Sequence, residues 1–227
     1  MSIKDNFVAL KAAVDHQSTQ SGAPGETQII AATKSRDPRT LREAFAAGLR
    51  HFGENYVDEA LAKQAQLTDL PVTWHFIGRI QSNKTRAIAE NFQWIHSVDR
   101  MRIANRLSEQ ATRELNVLIQ VNISADRNKG GIAREQASEL AKAVSELPRI
   151  RLRGFMTILD PDDDPRERFD SMAQLSRSTR EALPEQVRGH WDALSMGMSG
   201  DWQDAVAAGA THIRIGTAIF GPRDRQP

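Results

Sequence analysis

The 227-residue chain contains no cysteine. That excludes disulfides, thiolate nucleophiles and Cys-ligated zinc or iron–sulfur clusters, and it suits a reducing compartment, so the expected location is the cytoplasm. No apolar run approaches the roughly 20 residues needed to cross a bilayer, and the opening MSIKDNFVALKAAVDHQ lacks the unbroken apolar block of a signal peptide. An excess of either charge is missing too: 30 Lys plus Arg face 29 Asp plus Glu, a formal net charge of +1. No overall field draws the protein to nucleic acid or an anionic membrane. The basic stretches RDPRTLR and RIQSNKTR, offset by acidic segments, read as solvated helix faces. The six histidines, at 16, 51, 75, 96, 190 and 212, show no H-E-x-x-H spacing, and no metal site is expected. Neither G-x-G-x-x-G after the first strand nor G-x-x-x-x-G-K-[ST] occurs, so neither usual nucleotide fingerprint is present.

What is there suffices for a sizeable core, with 40% hydrophobic residues. Residues 1–20 read as an amphipathic helix packed on the body, with Ile3, Phe7, Leu10 and Val14 at helical spacing. After the polar link STQSGAPGE, short apolar runs alternate with longer amphipathic stretches. Eight runs read as strands, at 28–33, 50–53, 73–77, 94–98, 116–123, 152–158, 191–196 and 211–216. Between them lie helix marks: Asp37 and Pro38 at an N-terminus, a Leu41, Ala44 and Phe45 stripe, and Gly48 at the close. Residues 133–147 place Ala137, Leu140, Ala141, Val144 and Leu147 on one face, and 165–183 form another helix after DPDDDP, whose Asp162, Asp163 and Asp164 read as a solvated loop. Eight strands alternating with helices predict a parallel sheet closed into a (β/α)8 barrel of the TIM type, one domain over 1–227. An open doubly wound sheet is the competing fold.

In such a barrel the active face lies at the C-terminal ends of the strands. Of the seven lysines only Lys34 directly continues an apolar strand, TQIIAATK. Strand alternation groups it with Ile30 and Ala32, opposite Ile29, Ala31 and Thr33. A lysine there either keeps its head in water or, partly desolvated, becomes a nucleophile toward carbonyls. After the seventh and eighth predicted strands come LSMGMSGD and RIGTAIFG. Ser199 is a helix cap or a ligand hydroxyl; Gly216 and Thr217 are ordinary loop residues or, with Ser199, an anion cup of the kind barrels place here. Arg214 shares the face of Gly216, with Ile213 and Ile215 outward; a guanidinium so placed pairs with a buried carboxylate or donates to a ligand. A carbonyl-seeking lysine, a phosphate cup and an arginine in one mouth match the aldehyde, phosphate and ring nitrogen of pyridoxal 5′-phosphate.

The motifs AATK, HFGENYV, WHFIGRIQSNK, VNI with KGGI, RLRGFMTI, LSMGMSGD and RIGTAIFG, in this order across almost the whole chain, resemble those of the pyridoxal phosphate homeostasis protein family. Thr33 and Gly130 stand where that family often has serine, both small replacements. The resemblance implies an alanine-racemase-like barrel. It also implies a pyridoxal phosphate Schiff base on Lys34, phosphate contacts from Ser199, Gly216 and Thr217, and Arg214 facing the pyridine nitrogen. Asn55, His75 and Asn83 look like pocket-lining residues by the same resemblance, against readings as a helix cap, a satisfied core histidine and a loop turn.

The function so implied is binding and buffering or delivery of pyridoxal phosphate in vitamin B6 homeostasis, with no catalytic residue assigned, a monomer, and pyridoxal-dependent apoenzymes as candidate partners. Two enzymes compete with it. A racemase adds a second, β-rich domain and a tyrosine acid–base, whereas the only tyrosine here is Tyr56, with nothing placing it opposite Lys34. A Schiff-base aldolase would use Lys34 on a phosphorylated sugar.

Overall fold

The computed structural model describes residues 2–22, 25–124, 126 and 130–222. Nine strands form: β1 Gln28–Ala32, β2 His51–Glu54, β3 Thr73–Phe76, β4 Trp94–Val98, β5 Leu115–Asn122, β6 Ile132–Ala133, β7 Ile150–Met156, β8 Ala193–Ser195 and β9 His212–Ile215. Every pairing is parallel. β1 lies between β2 and β9, and β4 pairs with β5, so eight strands close on themselves and the open sheet is excluded. The eight ring strands differ from the sequence expectation by at most two residues at either end. β6, a two-residue addition alongside β5, has no counterpart in that expectation.

Alternation sorts the strand side chains into two layers. Ile29 and Ala31 belong to the main core between sheet and helices, whereas fully buried Ile30 points the other way, beside Gly53 and Ile77. The same rule puts Ile213 and Ile215 in the outer layer and leaves Arg214 to the interior. Helix α1, Ile3–Ser21, opens on a capping box between Ser2 and Asp5, closes on left-handed Gly22, and buries Leu10 and Val14 as the periodicity requires. Helix α2, Pro38–Ala46, begins where the Asp37 side chain accepts from Thr40 N. The others are α3 Val57–Gln64, α4 Thr85–Asn91, α5 Met101–Gln110, α6 Ala137–Ser145, α7 Pro165–Ala182, α8 Glu185–Arg188, α9 Trp202–Ala207 and α10 Thr217–Phe220. α1 packs against α9 and α10.

The acidic run before α7 is a loop with Asp162 and Asp164 exposed as its composition suggests, but Asp163 departs from that expectation. Asp164 caps α7 by accepting from Arg166 N and Glu167 N. The Asp163 side chain, 8% exposed, accepts from Ser124 Oγ, Asp160 N and Arg168 Nε. The link residues 23 and 24, Lys129 of the KGGI motif and the tail 223–227 lie outside the described residues. Among the described residues no helix is long and apolar enough to cross a membrane, and no group of three or more His, Asp or Glu is arranged to hold a metal ion.

The barrel interior is unusual in carrying histidines. His51 Nδ1 lies 2.9 Å from His75 Nε2, and His75 Nδ1 lies 3.0 Å from His96 Nε2. Trp94 stacks on His75, its ring centroid 5.7 Å away, and His212 packs beside both. His75 and His96 are fully buried. Burial, reinforced by the neighbouring histidines, drives both well below the ordinary 6.5, and burial takes His212 to about 3 and lowers His51 as well.

Two predictions follow from this packing. Histidines held neutral in the folded state resist protons that the unfolded chain accepts below about pH 6.5, so their stabilisation is complete above that pH and is lost as pH falls toward 3. Denaturant titrations between pH 7.5 and 4.5 should show stability level down to about pH 6.5 and then falling by up to about 1.4 kcal/mol per pH unit for each histidine that remains neutral; a flat profile throughout would contradict the buried chain. The second concerns Gly154 on β7, at φ +144°, where an added Cβ would lie 1.9 Å from the carbonyl oxygen of Ala193 on β8. Gly154→Ala should destabilise by roughly 2–4 kcal/mol, read as a lowered urea midpoint; an unchanged midpoint would show that the two strands can separate freely.

Candidate functional site

Because β1 and β9 are neighbours, with Ala31 opposite Ile215, the first and last strands deliver their C-terminal ends to one place. Ala32, Lys34, Arg36, Gly216, Thr217 and Gly221 line a single small pocket there. Lys34 is half-buried and has no hydrogen-bond or ion-pair partner among the described residues. The chain turns immediately after it, with Ser35 in the left-handed region at φ +62° and Arg36 N donating to Thr33 O. Gly216 follows β9 directly and its carbonyl accepts the N–H groups of Ile219 and Phe220, so α10 starts at Thr217 on the pocket edge. The leading N–H groups of a helix lack acceptors within it, which makes this edge a donor for anions.

Arg36 is a pocket residue that its basic sequence stretch had suggested was merely solvated. Its Nη2 donates to Gly221 O at 2.8 Å and its guanidinium lies 5.4 Å from the Phe220 ring centroid. The available signal was its position two residues beyond Lys34.

Arg214 is 5% exposed. Neither a carboxylate nor open space receives it: Nη1 donates to Ser195 Oγ and Nη2 to Thr157 O, each at 2.7 Å. Burial lowers its pKa to about 10, against a raising influence of Asp201, so it stays cationic at neutral pH. Ser195 Oγ also lies 3.0 Å from His96 Nδ1. Since the guanidinium can only donate, the Ser195 hydrogen goes to His96 Nδ1, which assigns the His96 proton to Nε2 and, by the same logic, the His75 proton to Nε2. A directed chain thus runs from Arg214 through Ser195, His96 and His75 to half-buried His51. Sequence reading singled out Arg214 and His75 separately and missed Thr157, Ser195 and His96, which join the chain only across the closed barrel.

The other expected residues are dispersed around this centre. Ser199 is half-buried in the β8–α9 loop, has no hydrogen bond among the described residues, and does not cap α9; that position is Asp201, whose Oδ1 accepts from Met198 N. Ser199 is not among the residues lining the Lys34 pocket. Asn55 follows β2 in an adjacent pocket with Tyr56, Phe76, Arg79 and Lys84, and is not the cap of α3. Gly78 abuts its backbone, where a Cβ would fall 2.0 Å from Asn55 O. Both ring nitrogens of His75 are taken by other histidines, the geometry of a satisfied core residue. Asn83 is exposed on the 3-10 turn Ser82–Lys84, away from the Lys34 pocket.

The sequence profile described as "Alanine racemase, N-terminal domain" matches residues 8–224. The pyridoxal phosphate homeostasis protein of Pseudomonas aeruginosa PAO1 is 49% identical over 227 residues, covering 98% of this chain and 96% of that protein. The protein of the same name from Escherichia coli K12 is 44% identical, covering 98% and 97%. Among solved structures, PipY of Synechococcus elongatus PCC7942 with PLP bound is 38% identical and superposes with a TM-score of 0.84 over 97% of this chain and 100% of its own. Alanine racemase from Corynebacterium glutamicum shares the fold, at 18% identity and a TM-score of 0.66 over 94% of this chain and 62% of its own. With an alanine-racemase-type barrel and near full-length likeness to these proteins, the chain belongs to the pyridoxal phosphate homeostasis protein family.

Proposed function

We propose that this protein binds pyridoxal 5′-phosphate covalently through Lys34 and serves in cytoplasmic vitamin B6 homeostasis as a carrier, without a reaction of its own. The observation that carries the reading is the shared pocket: an amine with no partner among the described residues faces the Gly216–Thr217 edge, where β9 gives way to α10. The residues present fit the group. Lys34 offers the amine, and the Gly216–Thr217 backbone and Arg36 offer donors for a phosphate; the Ser199 hydroxyl, which the resemblance adds, has no partner among the described residues but lies outside the lining of this pocket. When bound, the cofactor supplies an aldehyde that condenses with the lysine amine, one water leaving.

The chain's own groups favour holding over reacting. Arg214 is cationic and fixed by Ser195 and Thr157; facing the pyridine nitrogen, as the family resemblance implies, this permanent cation would disfavour ring protonation and weaken the ring as an electron sink. Tyr56 is 63% exposed and lines the Asn55 pocket instead of the Lys34 pocket, which leaves the racemase reading without its acid–base partner. The names of the Pseudomonas aeruginosa and Escherichia coli relatives, both homeostasis proteins, support the same choice. The proposed unit is the whole chain acting as one domain and as a monomer, with pyridoxal-dependent apoenzymes as recipients.

Purified protein mixed with pyridoxal phosphate should develop a visible absorption band that borohydride bleaches, with the added mass on the peptide containing Lys34; Lys34→Ala should lose both. Protein that stays colourless with added cofactor would favour the aldolase. Incubation of the loaded protein with single-enantiomer amino acids in deuterated water should give no sustained α-proton exchange, and many turnovers of exchange would replace the carrier by a racemase.

A further inference from the structure

Behind the pocket, between β2 and α3, lies a buried ionic cluster that the proposed function does not use. Lys63 on α3 is 4% exposed, and its three N–H groups have three acceptors: Glu54 Oε1 at 2.6 Å, Glu59 Oε1 at 2.7 Å and the Thr33 carbonyl at 2.7 Å. Glu54, the last residue of β2, is fully buried, and its Oε1 also accepts from Thr33 Oγ1 at 2.6 Å. Glu59 Oε1 accepts from Ser35 N at 2.5 Å. The cluster therefore grips the residue before Lys34 through its carbonyl and hydroxyl, and the residue after it through its amide.

The two gripped residues are those that set the direction of the Lys34 side chain. Thr33 is the first residue beyond β1, with its amide on Gly53 O, and Ser35 sits in a left-handed conformation that a residue with a Cβ rarely adopts. Glu59 holds that conformation by taking the Ser35 N–H. An apolar side chain at position 63 would fill the same space without burying a charge, but it would make no bond to the Thr33 carbonyl. The contrast between the two lysines is also informative: every N–H of Lys63 is committed, whereas Lys34 is uncommitted.

We propose that Lys63, Glu54 and Glu59 are positioning residues, a clamp that fixes Thr33 and Ser35 so that Lys34, and no other amine, is presented to the cofactor aldehyde. This rests on the reading of Lys34 as the attachment point. It adds the groups that aim it, none of which touches the cofactor.

The test uses the full chain with Glu59→Ala, Glu59→Gln and Lys63→Met. Three quantities are followed: the rate at which pyridoxal phosphate is trapped by borohydride on the Lys34 peptide, the visible circular dichroism of the loaded protein, and hydrogen exchange at the Ser35 amide without cofactor. Glu59→Ala should slow trapping about tenfold and speed Ser35 exchange by at least about tenfold, while the melting temperature moves only a few degrees because the Glu59 side chain is 29% exposed. Glu59→Gln, which keeps an acceptor oxygen for Ser35 N, should restore most of both; a purely structural role would leave the visible dichroism unmoved in all three variants. Lys63→Met should act in the same direction, and Glu59→Ala decides the matter if that variant does not fold. Trapping at the wild-type rate with unaltered dichroism in Glu59→Ala would overturn the clamp while leaving attachment at Lys34 standing. Failure of the wild-type chain itself to label Lys34 would overturn the attachment and the clamp together.

Discussion

A guanidinium enclosed by a barrel must find acceptors inside it, because an unpaired buried cation is far costlier than any packing it could gain. Arg214 meets this constraint with the Ser195 hydroxyl on β8 and the Thr157 carbonyl just beyond β7. Three consecutive segments of the ring are thereby tied to one planar group. The constraint then propagates. A serine that accepts from Arg214 must place its own hydrogen elsewhere, and His96 Nδ1 takes it; His96 in turn donates to His75, and His75 to His51. The polar column along the barrel, which would be out of place in an apolar core, follows from one buried guanidinium: the charge stays on Arg214 while each neutral group passes its hydrogen on until half-buried His51 ends the chain. Neutral histidines suit this task because each ring donates at one nitrogen and accepts at the other.

Barrel closure does the rest of the assembly. Lys34 and Gly216 are far apart in sequence, yet the parallel β1–β9 pairing places the ends of both strands at the same rim. Parallel register also decides the faces, so Ile213 and Ile215 brace α-helical neighbours while Arg214 between them turns inward. The pocket is thus a consequence of topology more than of local loop design, although Gly78 shows that loop backbones also fit closely around Asn55.

This explains which parts were legible in the sequence. Period-two alternation and strand counting are local patterns, and they gave the eight ring strands, the inward Arg214 and the strand-end Lys34. The partners of those residues are not local. Thr33, Glu54 and Lys63 meet across two elements, and nothing in their spacing announces it, since a lysine four residues after Glu59 reads as an ordinary exposed helix pair. Asp163 was misread for the same reason: an acidic run between prolines looks solvated until Ser124 and Arg168 are brought beside it. His75 was legible only as a choice between ligand and core, and the choice was made by His51 and His96, 24 and 21 residues away. Asn55 and Asn83 came from motif likeness alone and Ser199 from its place at an expected helix start, and the fold leaves all three outside the lining of the Lys34 pocket.

The two buried cations of this barrel are handled in opposite ways, and the difference bears on what the mouth attracts. Lys63 is matched by two carboxylates, so its charge is more than offset where it sits. Arg214 has only a hydroxyl and a carbonyl, and Arg36 at the rim has a carbonyl and an aromatic face; neither forms an ion pair among the described residues. Neutral acceptors satisfy the hydrogen bonds of a guanidinium and leave its positive field in place. In a low-dielectric cavity such a field acts at longer range and with less screening than on the surface. Arg214, offset in part by Asp201, and Arg36 at the rim thus remain cations without a direct carboxylate partner among the described residues, with the amine of Lys34 lining the same pocket as Arg36. A phosphate ester that also carries an aldehyde is the kind of ligand for which both features are needed at once, the field to bring in the anion and the unpartnered amine to fix the carbonyl.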